Sequence, residues 1–217
     1  MIFSKIFSYI FHPVFMPISI FILLISCVDY INYLFSYQAN QIYFILLIFT
    51  VLLPICFSFL VAFFFKKSIY MESRKDRLLP YLFASFSFLT GYFFLIRVII
   101  LDSLMLNIYL SLSLTFLLST LITLLWKISL HMISIGSAIA ICIYINHVFG
   151  DFFWITIYCI IIAGIIGTSR LNLQSHNMSQ VSSGFLFGLS VELFLLFNYN
   201  LTTLKISTFL SSIASLL

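Results

Sequence analysis

Three short polar stretches hold most of the side chains in this sequence that are equipped for chemistry. In residues 71–80 acids and bases alternate just ahead of an apolar run, with Arg74 and Arg77 three positions apart. On a helical turn that spacing puts both guanidiniums on one face, where two planar forks can grip one anion. In residues 127–131, Lys127 and His131 stand four apart, again on one helical face, with Ser129 between them. In residues 169–180, Arg170 and His176 sit among Ser169, Asn172, Gln174, Ser175, Asn177, Ser179 and Gln180. A plain loop has no need of so many hydrogen-bonding side chains. Guanidinium, ammonium and imidazole groups gathered at one surface are suited to holding a phosphate. Each stretch also has a plainer reading, as a solvated charged loop or as the Lys and Arg that set membrane topology.

The elements that must position these groups follow from composition. Of 217 residues, 63% are hydrophobic, 19% aromatic and 7% charged, against about 25% charged in a soluble domain. Sixteen charged side chains do not cover a globule that rich in Phe, Ile and Leu, so the apolar surface faces lipid. Disorder is excluded by the same numbers, and a net charge of +4 spread over scattered Lys and Arg excludes a nucleic-acid binder. The sequence predicts an all-α, polytopic bundle of six to seven transmembrane helices. It forms a single integral membrane domain over residues 1–217. Candidate spans are 14–28, 42–65, 81–101, 104–126, 132–148, 152–167 and 181–197, set against the ~17 to 25 residues needed to cross. Residues 2–11 and 206–217 read as interfacial helices, and Pro80 suits the first turn of the helix it precedes. Cys27, Cys56, Cys142 and Cys159 lie in apolar runs without a C-x-x-C pair and read as small buried residues.

Because each span carries the chain to the other face, the N-terminus, the 66–80 loop, the 127–131 junction and the 168–180 loop share one side. Nearly all Lys and Arg, with His12, His131 and His176, fall there. Asp29, Asp102, Asp151 and Lys205 fall opposite, with His147 near them.

At this point the motifs resemble the type-2 phosphatidic acid phosphatase superfamily. Ser169-Arg170, five residues and His176 are similar to its third signature, S-R-x5-H-x3-D, with Gln180 in the Asp position. Ser129-x-His131 resembles the Ser and His of the second signature, P-S-G-H, with Ile128 and Leu130 replacing Pro and Gly. The first signature, K-x6-R-P, is matched only at Pro80, with Glu72 and Leu79 in the Lys and Arg slots. The resemblance covers approximately residues 72–197, as a divergent membrane branch of the superfamily. It implies that His176 attacks phosphorus to form a phosphohistidine and that His131 protonates the leaving group and then activates water. Arg170 and Ser169 would hold phosphoryl oxygens with Arg74, Arg77, Lys127 and Ser129, and Gln180 would accept from the His176 ring. No metal or other cofactor is implied. The expected partner is a membrane lipid phosphate or pyrophosphate, in the plasma (inner) membrane of a bacterium. The Lys and Arg tally puts the site on the cytoplasmic side, whereas superfamily members commonly act on the outer side.

Two features lie deeper. Glu192, inside the 181–197 run, is a functional candidate or a structural lock paired with Arg97 or a neighbouring hydroxyl. Gly184 and Gly188 form G-x-x-x-G, which permits close helix contact within the protomer or between protomers of a homo-oligomer. The rival functions are a lipid-phosphate binder or transporter that keeps the anion site without chemistry, and a structural subunit.

Overall fold

A computed structural model describes residues 2–66, 73–99, 103–150 and 152–198, with the side chains of Ile2 and Arg74 excepted. The expectations placed on Lys67, Glu72, Asp102, Asp151, Lys205, the 206–217 helix and the Arg74 side chain lie outside the described residues. Within them the chain is helical throughout, as α1 (Ile2–Ile10), α2 (Met16–Cys27), α3 (Asp29–Phe64), α4 (Arg74–Val98), α5 (Ser103–Leu125), α6 (Leu130–Phe149), α7 (Phe153–Asn172) and α8 (Met178–Phe197). The last six are long and apolar enough to cross a membrane. Large apolar side chains point outward, Leu125 at 84% and Phe63 at 78% exposure. In water that surface would not persist; in lipid it matches the solvent. The protein is an integral, multi-pass membrane protein.

The 12 residues of α2 span only about 18 Å, short of the roughly 30 Å of hydrocarbon. Its two ends nevertheless lie toward opposite ends of the bundle. His12 and Pro13, just before it, line a cavity with the start of α6, while Cys27 and Val28 share a cleft with Phe149 and Phe152 at the end of α6. In α1 the pattern is inside out: Ser4 and Ser8 are buried, while Phe3, Ile6, Tyr9 and Ile10 are exposed. That small polar edge packs on α7.

Two prolines reshape the helices. Pro54 follows a wide turn in α3 at Leu47–Leu52, where Ser87 of α4 donates to the Phe49 carbonyl at 2.6 Å. A neighbouring hydroxyl thus serves a carbonyl that the distorted ladder leaves available. Pro80 does not begin its helix. Ser73 caps α4 seven residues earlier, its Oγ accepting from the Asp76 N–H at 3.3 Å, so Pro80 lies inside. The Ser73 cap wins because it satisfies amides that a start at Pro80 would leave bare.

The tightest seam joins α6 to α8. A Cβ on Gly188 would lie 2.1 Å from the Ile133 carbonyl oxygen, and one on Gly184 would lie 2.8 Å from that of Ser129. The G-x-x-x-G face is therefore filled within the protomer. Beneath it, Glu192 is fully buried, bonded to Ser111 and, at 2.8 Å, to Thr115 of α5. Of its two expected partners the hydroxyl is the one present; Arg97 is exposed in the last turn of α4.

Candidate functional site

The α6–α8 seam fixes the beginnings of both helices, and both proposed reactive histidines sit there. His131 is the second residue of α6. Ser129, just before it, donates its N–H to the Gln180 carbonyl in the first turn of α8, at 3.4 Å. His176 reaches the same place by a sharp reversal. Gln174 takes a left-handed φ of 52°, and the Ser175 N–H returns to the Arg170 carbonyl at 3.2 Å, so the chain folds back over the end of α7. Asn177 then caps α8: its Oδ1 accepts from the Gln180 N–H at 2.9 Å, and Gln180 Oε1 accepts from the Asn177 N–H at 3.4 Å.

The result is a cavity of about 300 Å³ bounded by Arg77, His131, Arg170 and His176, with His12 and Tyr81 added. Val14, Pro54, Ile55, Phe59, Ala84 and Phe116 supply apolar walls. Among the described residues no carboxylate lines it. The Arg77 guanidinium donates to the Tyr81 hydroxyl, and Arg170 lies near enough to Arg77 for the two charges to repel. Arg170 Nη1 donates to Ser8 Oγ at 3.3 Å, whereas its Nε is buried without a partner.

Ring hydrogens follow from the partners. Gln180 Oε1 is an acceptor only, so His176 Nδ1, 2.9 Å away, carries the hydrogen and leaves Nε2 with a free lone pair. The Ser8 carbonyl likewise accepts from His131 Nε2 at 3.0 Å. Burial lowers the His176 pKa to about 4, helped by the charges of Arg170, Arg77 and Lys127 and opposed by the Gln180 bond. The ring is neutral at pH 7, as a nitrogen nucleophile must be. His12 packs edge-on against His131, ring centroids 5.3 Å apart. Burial, then the Arg170 charge, lowers its pKa also to about 4. Among the described residues no three His, Cys, Asp or Glu side chains gather in a metal-holding set.

The sequence motifs thus meet in part. Arg77, His131, Arg170 and His176 share the cavity, Gln180 stands behind His176, and Lys127 is close enough for its charge to act on His176. Ser129 and Ser169 do not line it. Ser129 is completely buried with its Oγ unpartnered, under the close approach of Gly184, and Ser169 is buried in the last turn of α7. Sequence reasoning assigned no site role to His12, Ser8 or Tyr81. For His12 the signal was its place on the same face as His131 and His176; nothing in the sequence marked Ser8.

The fold and site together define a multi-pass helical membrane protein with a cation-lined cavity near one end of the bundle. Compared with models of protein families, with curated proteins and with solved structures, the chain matches none of them.

Proposed function

We propose that the protein is a phosphatase of a bacterial inner membrane, removing a phosphate or pyrophosphate group from a lipid. The observation that carries this reading is the meeting of Arg77, His131, Arg170 and His176, which the sequence keeps in three separate stretches, around one cavity where the His176 Nε2 is free. The His176 Nε2 lone pair attacks phosphorus and forms the N–P bond. The P–O bond to the lipid breaks with its electron pair, and the leaving oxygen takes a proton from Nδ1 of His131, which the negative charge of the bound phosphate holds as imidazolium while Nε2 stays bonded to the Ser8 carbonyl. Water then attacks phosphorus and gives its proton back to His131, the N–P bond breaks, and phosphate departs. Arg77 and Arg170 hold the phosphoryl oxygens, where charge must be stabilised throughout. The Ser8 carbonyl and Gln180 Oε1 do for the two rings what a carboxylate usually does: they fix the tautomer, without adding charge. The apolar walls suit the first carbons of a lipid tail.

The test is release of inorganic phosphate by the purified protein in detergent from phosphatidic acid, phosphatidylglycerol phosphate and a polyprenyl pyrophosphate. Turnover by wild type and none by His176→Ala supports the reading. The neutral Gln180 favours a second one, a lipid-phosphate binder or transporter without chemistry. In that case no lipid releases phosphate, and both proteins bind the same lipids equally.

A further inference from the structure

We propose that His12 is a phosphate-binding residue that acts as an uncharged N–H donor, carried into the site by the turn between α1 and α2. The inference rests on the lipid-phosphate reading of the cavity and adds to it a third imidazole with a different task from the other two. His12 lies in the short connection from α1, which the α7 surface anchors through Ser8, and directly precedes Pro13. A residue before proline is driven away from helical backbone angles, and here the chain turns, with the Phe15 N–H bonding back to the His12 carbonyl at 2.9 Å. The ring is thereby placed on the cavity wall beside His131.

Its tautomer is set locally. The Val14 N–H donates to His12 Nδ1 at 3.4 Å, which leaves the ring hydrogen on Nε2. An imidazolium would point a second N–H at that amide, donor against donor. The charged groups around the ring oppose it as well. Arg170 repels a positive His12, and the cavity holds Arg77, with His131, His176 and Tyr81 as its other titratable groups. A neutral donor adds a hydrogen bond to a phosphoryl oxygen without adding to this repulsion. His12 therefore binds, while His131 and His176 exchange protons and phosphoryl groups.

The test compares His12→Ala with His12→Gln, whose amide keeps an N–H donor but takes no part in proton transfer. Phosphate release is followed across pH, and binding of phosphatidic acid in detergent micelles is measured in the His176→Ala background with and without each His12 change. The expected result is a loss on the order of tenfold to a hundredfold in kcat/KM and in binding for His12→Ala. His12→Gln stays within a few fold of wild type, with the same pH profile and unfolding temperature. If His12→Gln is as defective as His12→Ala and its pH profile loses a limb, His12 transfers protons and the proposal is overturned. Equal activity in all three proteins would make the ring mere wall and overturn it too. Should wild type hydrolyse nothing, the phosphatase reading fails alone, and the binding arm still decides: weaker binding only in His12→Ala supports the donor, unchanged binding removes it.

Discussion

Glu192 and Arg170 are both charged residue types inside the bundle, and their surroundings differ in kind. Around Glu192 hydroxyls of α5 close on the carboxyl group, with Ser137 of α6 as a third, and no cation is among them. Around Arg170 the pattern is reversed: cationic and imidazole groups crowd one cavity, no carboxylate answers them among the described residues, and the Arg170 Nε is buried unpaired. Leaving such a donor bare costs about 1–3 kcal/mol, and like charges add to it. A network complete in itself holds helices together. On the proposed reading, one that lacks an anion holds that cost until a phosphate binds, so that the cavity is the binding site and the Glu192 cluster a lock.

The largest break in this comparison comes from His176→Ala. If the cavity does chemistry, turnover falls by on the order of 10³-fold or more, since the covalent route is lost, while lipid-phosphate binding, carried by Arg77 and Arg170, changes little. Single-turnover phosphate release beside equilibrium binding checks both halves. Arg170→Ala should do the opposite, weakening binding about 10- to 100-fold, the worth of a charge-assisted hydrogen bond pair. Because it also removes an unpaired buried donor and a repulsion, its unfolding temperature without ligand should not fall by more than the loss of its packing and of its hydrogen bond to Ser8. A large drop would mean that Arg170 is structural and the contrast with Glu192 false.

The pH dependence sharpens the same point. The folded-state pKa values of His12 and His176, about 4, lie below the ordinary 6.5. Between those values the unfolded chain binds more protons than the folded one, so stability is full above about 6.5 and declines as pH falls toward 4. A bound phosphate should reverse part of this, since its negative charge offsets Arg77 and Arg170. Gln180→Asp supplies such a charge permanently. It should raise the His176 pKa and move the acid limb of activity upward, which a pH profile of kcat/KM would register.

Much of this was written in the sequence, and the exceptions have physical reasons. Spans over long apolar runs were legible because lipid demands them, and the grouping of His131, Arg170 and His176 followed from counting crossings. The start of α4 was misread because Pro80 is a stronger local signal than the Ser73 cap, which satisfies more backbone. Ser129 fits a signature by spacing, yet the Gly184 approach that the α6–α8 seam requires buries it away from the cavity. Ser8 was invisible for a deeper reason. What it offers His131 is a backbone carbonyl, a group every residue carries, and only tertiary packing of α1 on α7 brings it there.

Glu192→Gln is the smallest expected effect and the sharpest check of the comparison. A Gln amide at this position keeps an oxygen to accept from Thr115 and gains an N–H to donate to Ser111, whose own hydroxyl already reaches the Ile108 carbonyl at 3.0 Å. Every group stays satisfied, so unfolding in detergent should shift by less than about 1 kcal/mol and turnover should be unchanged. Glu192→Leu, by contrast, strips the hydroxyls of their partner at the centre of the α5–α6–α8 contact and should cost about 1–3 kcal/mol. A silent Gln beside a costly Leu is the behaviour of a hydrogen-bonded lock. Loss of turnover in a stably folded Glu192→Gln would require an ionisable group there, since the amide keeps each neighbour bonded and removes the ability to titrate. The cluster would then belong with the cavity as a second functional centre.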